Sequence, residues 1–444
     1  MNLLNIRNLA LTLIIISAGL FAVRPAVAQQ PGHPQADGGL YQLLYPELRE
    51  YLELAADENP ELNLLRHLFE AERQKVPQVG TLPDPELNIG FDFNPMESGS
   101  ALGRFSISAM QMFPWFGTLE SRREMQRASA DADLQRISTR QLDLFESIQT
   151  LWLDLSEMNL QIGITEETIQ LIRDLELLVE TRYETGRTSQ ADLLRIQMEE
   201  QRLKTTIENL IDRKNPVRAR FNALLNRDLD AGVETAEKID PFQLQRSEEE
   251  LKTRIREFNP RFDEIASRDR MLRSQRDLAR LEGRPSFGVG VEVMGRDFGV
   301  MSMNPDMTES FIGMASIRIP IYRSRYRAQY RQATEQLRSL DSQLHETENR
   351  LMTELEEAFE SYRESKRSLL LLDEELIPRA SQALEILMED YSAGRARFDE
   401  LLQIQRELLD LEYERIEVLV RQNKAVLALQ RLVGFQLAEG SPHQ

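Results

Sequence analysis

Two stretches decide the fold of this chain: Y-E-T-G-R-T-S-Q-A-D-L-L-R-I-Q, Tyr183 to Gln197, and Y-S-A-G-R-A-R-F-D-E-L-L-Q-I-Q, Tyr391 to Gln405. Tyr, Gly, Arg, Leu-Leu, Ile and Gln stand at the same offsets in both. Each stretch interrupts a long run of helix-forming residues. Gly186 and Gly394 suit the positive φ by which a chain leaves a helix. Ser189 and Asp399 are the expected caps of the helices that return. The chain therefore reads as two long helical hairpins with matching tips.

Working outward, the two halves match at further points. Asn59-Pro60-Glu61 corresponds to Asn259-Pro260-Arg261, the segment from Pro85 to that from Pro285, and Phe105 to Pro114 to Phe311 to Pro320. Such an ordered internal repeat is the mark of a duplicated unit. Four segments, 85–94, 104–114, 285–295 and 310–320, are expected strands. Leu87, Ile89, Phe91 and Phe93 alternate with polar residues, as do Phe287, Val289, Val291 and Val293, the period of two of a strand between an apolar and a polar medium. At about ten residues each they are long enough to cross a bilayer when tilted; ordinary soluble hairpins would show the same pattern. After Gly117 nothing stops the helix before Gly186, a run on the order of 100 Å. Its apolar residues recur in heptads, with Leu134, Ile148, Leu155, Ile162 and Ile169 on one seam and Ile137, Leu144, Leu151, Met158, Ile172 and Val179 on the other. That is the pattern of helices packed side by side. Pro378 is expected to kink the matching helix of the second half.

Of the 444 residues 29% are charged and 7% aromatic, a balance suited to long helices, and the net charge of −19 argues against a nucleic-acid partner. Cysteine is absent, which excludes disulfides, thiolate metal sites and lipidation on an N-terminal cysteine. Residues 1–28 have the form of a cleaved signal peptide: Arg7, an apolar run from Leu9 to Val23, and Ala26-Val27-Ala28 as the cleavage site. A membrane anchor is the alternative, but Arg24 and Pro25 shorten the run. Four scattered histidines and no phosphate-cradling loop leave no catalytic constellation and no cofactor site.

In these features the chain resembles the TolC family of outer-membrane efflux proteins. The resemblance rests on E-N-P-E-L at Glu58 to Leu62, L-P-D-P-E-L at Leu82 to Leu87, Q-M-F-P-W-F-G at Gln111 to Gly117 with its echo I-R-I-P-I-Y at Ile317 to Tyr322, and the two tips. It covers the mature chain in order. It implies a mainly α fold with a small β part. Duplicated coiled-coil hairpins would form a periplasmic α-barrel, and four strands per chain would contribute to a 12-stranded trimeric β-barrel in the cell outer membrane. The expected organisation is a first repeat over 29–226, an equatorial segment over 227–257, a second repeat over 258–434 and a tail over 435–444. The implied partners are two further copies, a periplasmic adaptor, an inner-membrane pump and outer-membrane lipid. The implied function is a passive, non-enzymatic exit duct for drugs or metal cations. A protein-secretion duct and a channel-free periplasmic coiled-coil scaffold are the alternatives.

By motif position the resemblance places Asp192 and Glu400 at the periplasmic gate as carboxylates facing the pore. Tyr391, Arg395, Arg187 and Asp399 stand near them, with Arg395 one position before the family's usual arginine and Gln403 where some members have a second aspartate. Gly186, Leu193, Leu194, Gly394, Leu401 and Leu402 are the expected adaptor contacts. As plain residues the leucines could be hairpin core, and the two carboxylates could be solvated groups favoured by the helix macrodipole. Trp115 and Phe116 read either as interfacial aromatics or as packing at the strand-to-helix joint. Met294, Met301, Met303, Met307 and Met314 cluster around the second loop, and thioethers suit Cu(I).

Overall fold

The computed structural model describes residues 45–92, 104–296 and 310–434. The expected signal peptide, the C-terminal tail and the loop methionines Met301, Met303 and Met307 lie outside the described residues. The first half runs α1 (Arg49–Glu58), α2 (Pro60–Val79), β1 (Glu86–Asp92), β2 (Arg104–Phe113), α3 (Thr118–Glu184) and α4 (Gln190–Leu224). The second runs α5 (Glu248–Phe258), α6 (Pro260–Leu281), β3 (Ser286–Arg296), β4 (Ser310–Arg318), α7 (Arg323–Leu371), α8 (Ile377–Ser392) and α9 (Phe398–Val433). The order repeats as the sequence predicts. One difference breaks the symmetry. α3 continues unbroken for 67 residues, whereas α7 passes into α8 through a π-helical turn at Leu372–Leu376. Pro378 is the cause: its ring lacks an N–H and crowds the carbonyl four residues back, so the preceding turn widens.

Towards the sheet, α2, α3, α6 and α7 pack side by side; towards the tips, α4, α3 and α9 do so, with α9 against both α7 and α8. The rods are spliced end to end by one device used twice. Asn59 caps α2 by accepting from the N–H groups of Glu61 and Leu62 at 3.0 and 3.1 Å, while its Nδ2 donates to the Leu224 carbonyl at the end of α4 at 2.9 Å. Asn259 caps α6 by accepting from Arg261 N–H at 3.0 Å, and its Nδ2 donates to the Leu432 carbonyl of α9 at 2.7 Å. A single buried amide thus satisfies orphan donors of one helix and an orphan acceptor of another. The proline that follows has no N–H to leave unsatisfied and fits the first helical turn. Just past each splice the chain turns left-handed, at Asn226 (φ 53) and Gly434 (φ 82). Glycine is required at the second, because a Cβ there would stand 2.4 Å from the Phe258 carbonyl oxygen.

The four strands form one antiparallel sheet in the order β1-β2-β3-β4. The two expected strand pairs are therefore joined, with β2 pairing β3 across the repeats from Arg104↔Arg296 to Phe113↔Phe287. The register gathers one apolar face: Ile89 opposite Ile107, Ile107 opposite Val293, and Val293 opposite Phe311. That face is uncovered within the chain, with Ile89 60%, Val291 59% and Phe311 75% exposed. The other face carries Ser106, Ser108, Met110, Met112, Gly288, Gly290, Met314 and Ser316 by the same register. Met314 is thus placed on the polar side, with Met110 and Met112, which sequence reading left out.

The heptad seams account for only part of the α3 core. Around its middle, Leu142, Phe145, Gln149, Trp152, Leu153 and Ser156 are buried as well, because the irregular segment after α4 covers a third side. That segment is fastened by buried side chains, since its backbone groups have no ladder to join. Asn222 donates to the carbonyls of Leu229 and Ala231, both at 2.9 Å. Trp152 donates to that of Glu234 at 2.8 Å, and Asn423 to that of Asp240 at 3.0 Å while accepting from Phe242 N–H. Arg431 on α9 ties α3 to α7 through Glu146 at 2.6 Å and Glu354 at 2.9 Å.

Candidate functional site

The two tips share one backbone solution. Gly186 N–H donates to the Tyr183 carbonyl at 2.9 Å and Arg187 N–H to that of Arg182 at 2.8 Å; Gly394 N–H and Arg395 N–H repeat these bonds to Tyr391 and Asp390 at 2.9 and 2.8 Å. This is a Schellman ending, which needs a left-handed residue after the helix. Gly186 and Gly394 supply it at φ 69 and 77. The returning helices start differently. Ser189 caps α4 in a capping box with Asp192. Before α9 the cap position is held by Arg397, so Asp399 is not the cap expected from sequence. It lies in the first turn, and its carboxylate accepts from Arg397 Nε at 2.9 Å.

Asp192 and Glu400 hold the same position, the third residue of their helices, and both reach back to the cap residue. Glu400 accepts from Arg397 N–H at 3.3 Å and is otherwise exposed. Asp192 is more firmly tied: it accepts from the hydroxyls of Thr188 and Ser189 at 2.9 and 2.8 Å, and Arg195 lies 3.3 Å away. Burial alone would raise its pKa, but the hydrogen bonds from Ser189 and Thr188 outweigh it and hold the carboxyl below its ordinary value.

Tyr391 is buried and packs 5.8 Å from the Phe398 ring. The group that meets it is Arg182 of the other repeat, which sequence reading did not single out. Its guanidinium lies 4.6 Å from the Tyr391 ring centroid and donates to the carbonyls of Tyr391 and Ser392. This seals the orphan carbonyl end of α8 with a cation, as the helix macrodipole favours. Arg395 turns to its own repeat and pairs with Asp390 at 2.6 Å. Arg187 is exposed with no carboxylate within 4.0 Å among the described residues. A signal for the Arg182 contact existed in the repeats: position 182 is arginine where its counterpart, 390, is aspartate. A second charge difference between the repeats lies deeper, where the neutral Met198 matches Arg406. There Arg406 pairs with the buried Glu199 of α4, on the wall of a hollow of about 720 Å³ between α4 and α9.

The leucines divide. Leu401 and Leu402 are buried in the tip core with Ile196, Val179, Tyr391 and Phe398, the hairpin-core placement that the sequence left open beside the adaptor-facing one. α9 turns this side inward because the first-repeat hairpin packs against it. Leu193 is half-buried against the same cluster, and Leu194 remains 52% exposed. Trp115 stacks on Phe287 at 5.9 Å at the joint, while Phe116 is 82% exposed. Among the described residues no helix is long and apolar enough to cross a membrane.

With this geometry in view, comparison with known proteins is direct. The model of the outer membrane efflux protein family matches residues 51–226 and 251–435, one segment in each half of the chain. No curated protein sequence matches. Among solved structures, a membrane protein from Pseudomonas aeruginosa superposes with a TM-score of 0.75 at 16% identity, covering 88% of this chain and 94% of its own. The outer membrane protein VceC from Vibrio cholerae gives 0.73 at 15%, covering 88% and 97%. The MtrE outer membrane channel of Neisseria gonorrhoeae, in its open state, gives 0.71 at 14%, covering 88% and 89%. Identities this low show a shared fold, and the family rests on the match to its model over most of both repeats: the chain belongs to the outer membrane efflux protein family, the TolC-type channels that its tips and strand joints resemble.

Proposed function

We propose that the chain is the outer-membrane exit duct of a tripartite efflux assembly, built as a homotrimer and passing small molecules, drugs or metal cations, from periplasm to exterior. The carrying observation is the sheet. Its apolar face is exposed, and β1 and β4 each have a neighbour on one side only. An open edge is not viable in lipid, and three copies would supply twelve strands, enough to close. The rods extend on the order of 100 Å from this sheet, the reach needed to meet an adaptor and an inner-membrane pump.

The tips are the gate in this reading. Arg182 on Tyr391 holds the two hairpins together, Arg395 and Asp390 brace the second tip, and Asp192 and Glu400 from three copies make carboxylate rings that favour cations. Gly186, Leu194 and Gly394 remain the exposed candidates for adaptor contact. The test is conductance of the detergent-purified mature protein in planar bilayers, after its trimer state is checked. Discrete small steps are expected, with cation selectivity reduced by Asp192→Asn with Glu400→Gln. A soluble protein without steps overturns the duct; unchanged reversal potentials in a salt gradient overturn the ring assignment alone.

A further inference from the structure

The segment from Arg318 to Arg331 carries five arginines, at 318, 323, 325, 327 and 331, and no aspartate or glutamate, in a chain of net charge −19. Arg280 and Arg284 join them from the end of α6. Five of the seven, Arg280, Arg284, Arg323, Arg327 and Arg331, line one open hollow of about 1040 Å³ that no carboxylate lines. Arg280 is held there by Tyr330, whose hydroxyl accepts from it at 2.8 Å, and it also lies 3.8 Å from the Asp277 carboxylate. Arg323, Arg327 and Arg331 are exposed with no carboxylate within 4.0 Å among the described residues.

This concentration is not explained by helix stability. The arginines occupy the first turns of α7, where the macrodipole disfavours cations, and that first turn contains no acidic residue. Nor does the duplication explain it. Counting from the matching prolines Pro114 and Pro320, the first repeat has Gly117, Ser121 and Met125 where the second has Arg323, Arg327 and Arg331. Counting from Pro85 and Pro285, it has Gly80 and Asp84 for Arg280 and Arg284. The first repeat's own arginines at this level are neutralised, Arg122 by Glu282 at 3.0 Å and Arg123 by Glu120 at 2.7 Å.

The hollow adjoins both ends of the second strand pair, with Pro285 just before β3 and Ile319 and Pro320 just after β4 in its wall. Ile317 near the end of β4, and Ile319 and Ile321 just beyond it, are 62%, 65% and 71% exposed, and Ile319 lines the hollow. Arg323 and Arg327 are about 6 Å apart along the helix, matching a headgroup layer of about 5–8 Å. Guanidinium groups bind phosphate oxygens through paired N–H donors.

We propose that this hollow seats the phosphate of an anionic phospholipid from the leaflet on the helical side of the membrane, fixing the depth at which the sheet sits. The proposal rests on the reading that the sheet enters a bilayer. The test uses the full mature protein and its triple variant R323Q/R327Q/R331Q, with R122Q/R123Q as control. Flotation with phosphatidylcholine vesicles first shows whether each enters a bilayer. Each is then placed in nanodiscs of phosphatidylcholine with a minor fraction of phosphatidylglycerol, and the lipid that stays bound on extraction is identified by mass spectrometry. Wild type and control should retain phosphatidylglycerol preferentially at low salt. The preference should fall roughly five-fold for each arginine removed and weaken as salt rises. Equal retention in wild type and triple variant overturns the proposal. So does displacement by inorganic phosphate but not by chloride at matched ionic strength, which would indicate a free-anion site. A protein that floats but shows no preference overturns the lipid site alone, and one that does not float overturns the membrane reading with it.

Discussion

Replacing Asn259 should open one splice and leave the rest of the chain intact. Asn259 is 5% exposed and does two jobs, capping α6 and covering the Leu432 carbonyl. Asn259→Ala removes a cap, at a cost of about 1 kcal/mol, and leaves a buried carbonyl unpaired, at about 1–3 kcal/mol. The sum, about 2–4 kcal/mol, corresponds to roughly 30- to 1000-fold in a local opening equilibrium. Hydrogen exchange of the purified protein reads this directly. Amides in the first turn of α6 and the last turn of α9 should lose that much protection, while those of α3 near Ile169 should not change. Asn59→Ala should do the same where α2 meets α4, an internal replicate supplied by the duplication. Asn259→Asp adds a sign test. Aspartate keeps the cap, but its carboxylate would face the Leu432 carbonyl in a buried setting, which raises its folded-state pKa. A group raised on folding contributes stability at low pH that is lost as pH rises through the folded value. The Asp variant should therefore approach wild type in acid and the Ala variant near neutral pH. Protection within about three-fold of wild type in Asn259→Ala, or a loss spread evenly over the chain, would refute the splice.

Other substitutions probe the tips and the rod. Arg182→Gln removes the cation over Tyr391 and the donors to two carbonyls, about 2 kcal/mol in all, and should enlarge or lengthen conductance steps in planar bilayers; unaltered steps would remove Arg182 from the gate. The Asp192 carboxyl is held below its ordinary pKa, so its contribution is present above the usual carboxylate range near 4 and lost as pH falls through the lower folded value. The first-turn amides of α4 should lose protection in acid in wild type, and an identical pH profile in Asp192→Asn would contradict this. Gly394→Pro cannot adopt φ 77; it should abolish cross-linking of the tips to an adaptor while the trimer persists, and normal cross-linking would argue against docking there. Gly163 lies inside α3 with nothing within 4 Å of where a Cβ would stand. Gly163→Ala should stabilise the rod by about 0.5–1 kcal/mol, seen as slower thermal unfolding; faster unfolding would mean that another surface needs the space.

The sequence by itself determined what is encoded locally and twice. The duplication, the four strands, the unbroken run from Gly117 to Gly186, the kink at Pro378 and the positive φ of Gly186 and Gly394 all follow from periodicity and turn chemistry, which act within a few residues. The repeats also made the family recognisable, since the same joints recur in the same order. Tertiary structure alone decided the long-range contacts, both between the halves and within each. The pairing of β2 with β3, the burial of Leu401 and Leu402 against the other hairpin, Arg182 over Tyr391, Arg406 on Glu199, and the buried amides of Asn59 and Asn259 each join residues far apart in the chain. A helical leucine buries against whichever neighbour the fold supplies, and neither its type nor its spacing names that neighbour. Where the two copies differ in charge, as at Arg182 and Asp390, the sequence marks a position whose surroundings differ, but only packing shows the partner. The hollow of arginines beside the second strand pair has the same origin, because it forms where α6 ends beside the start of α7.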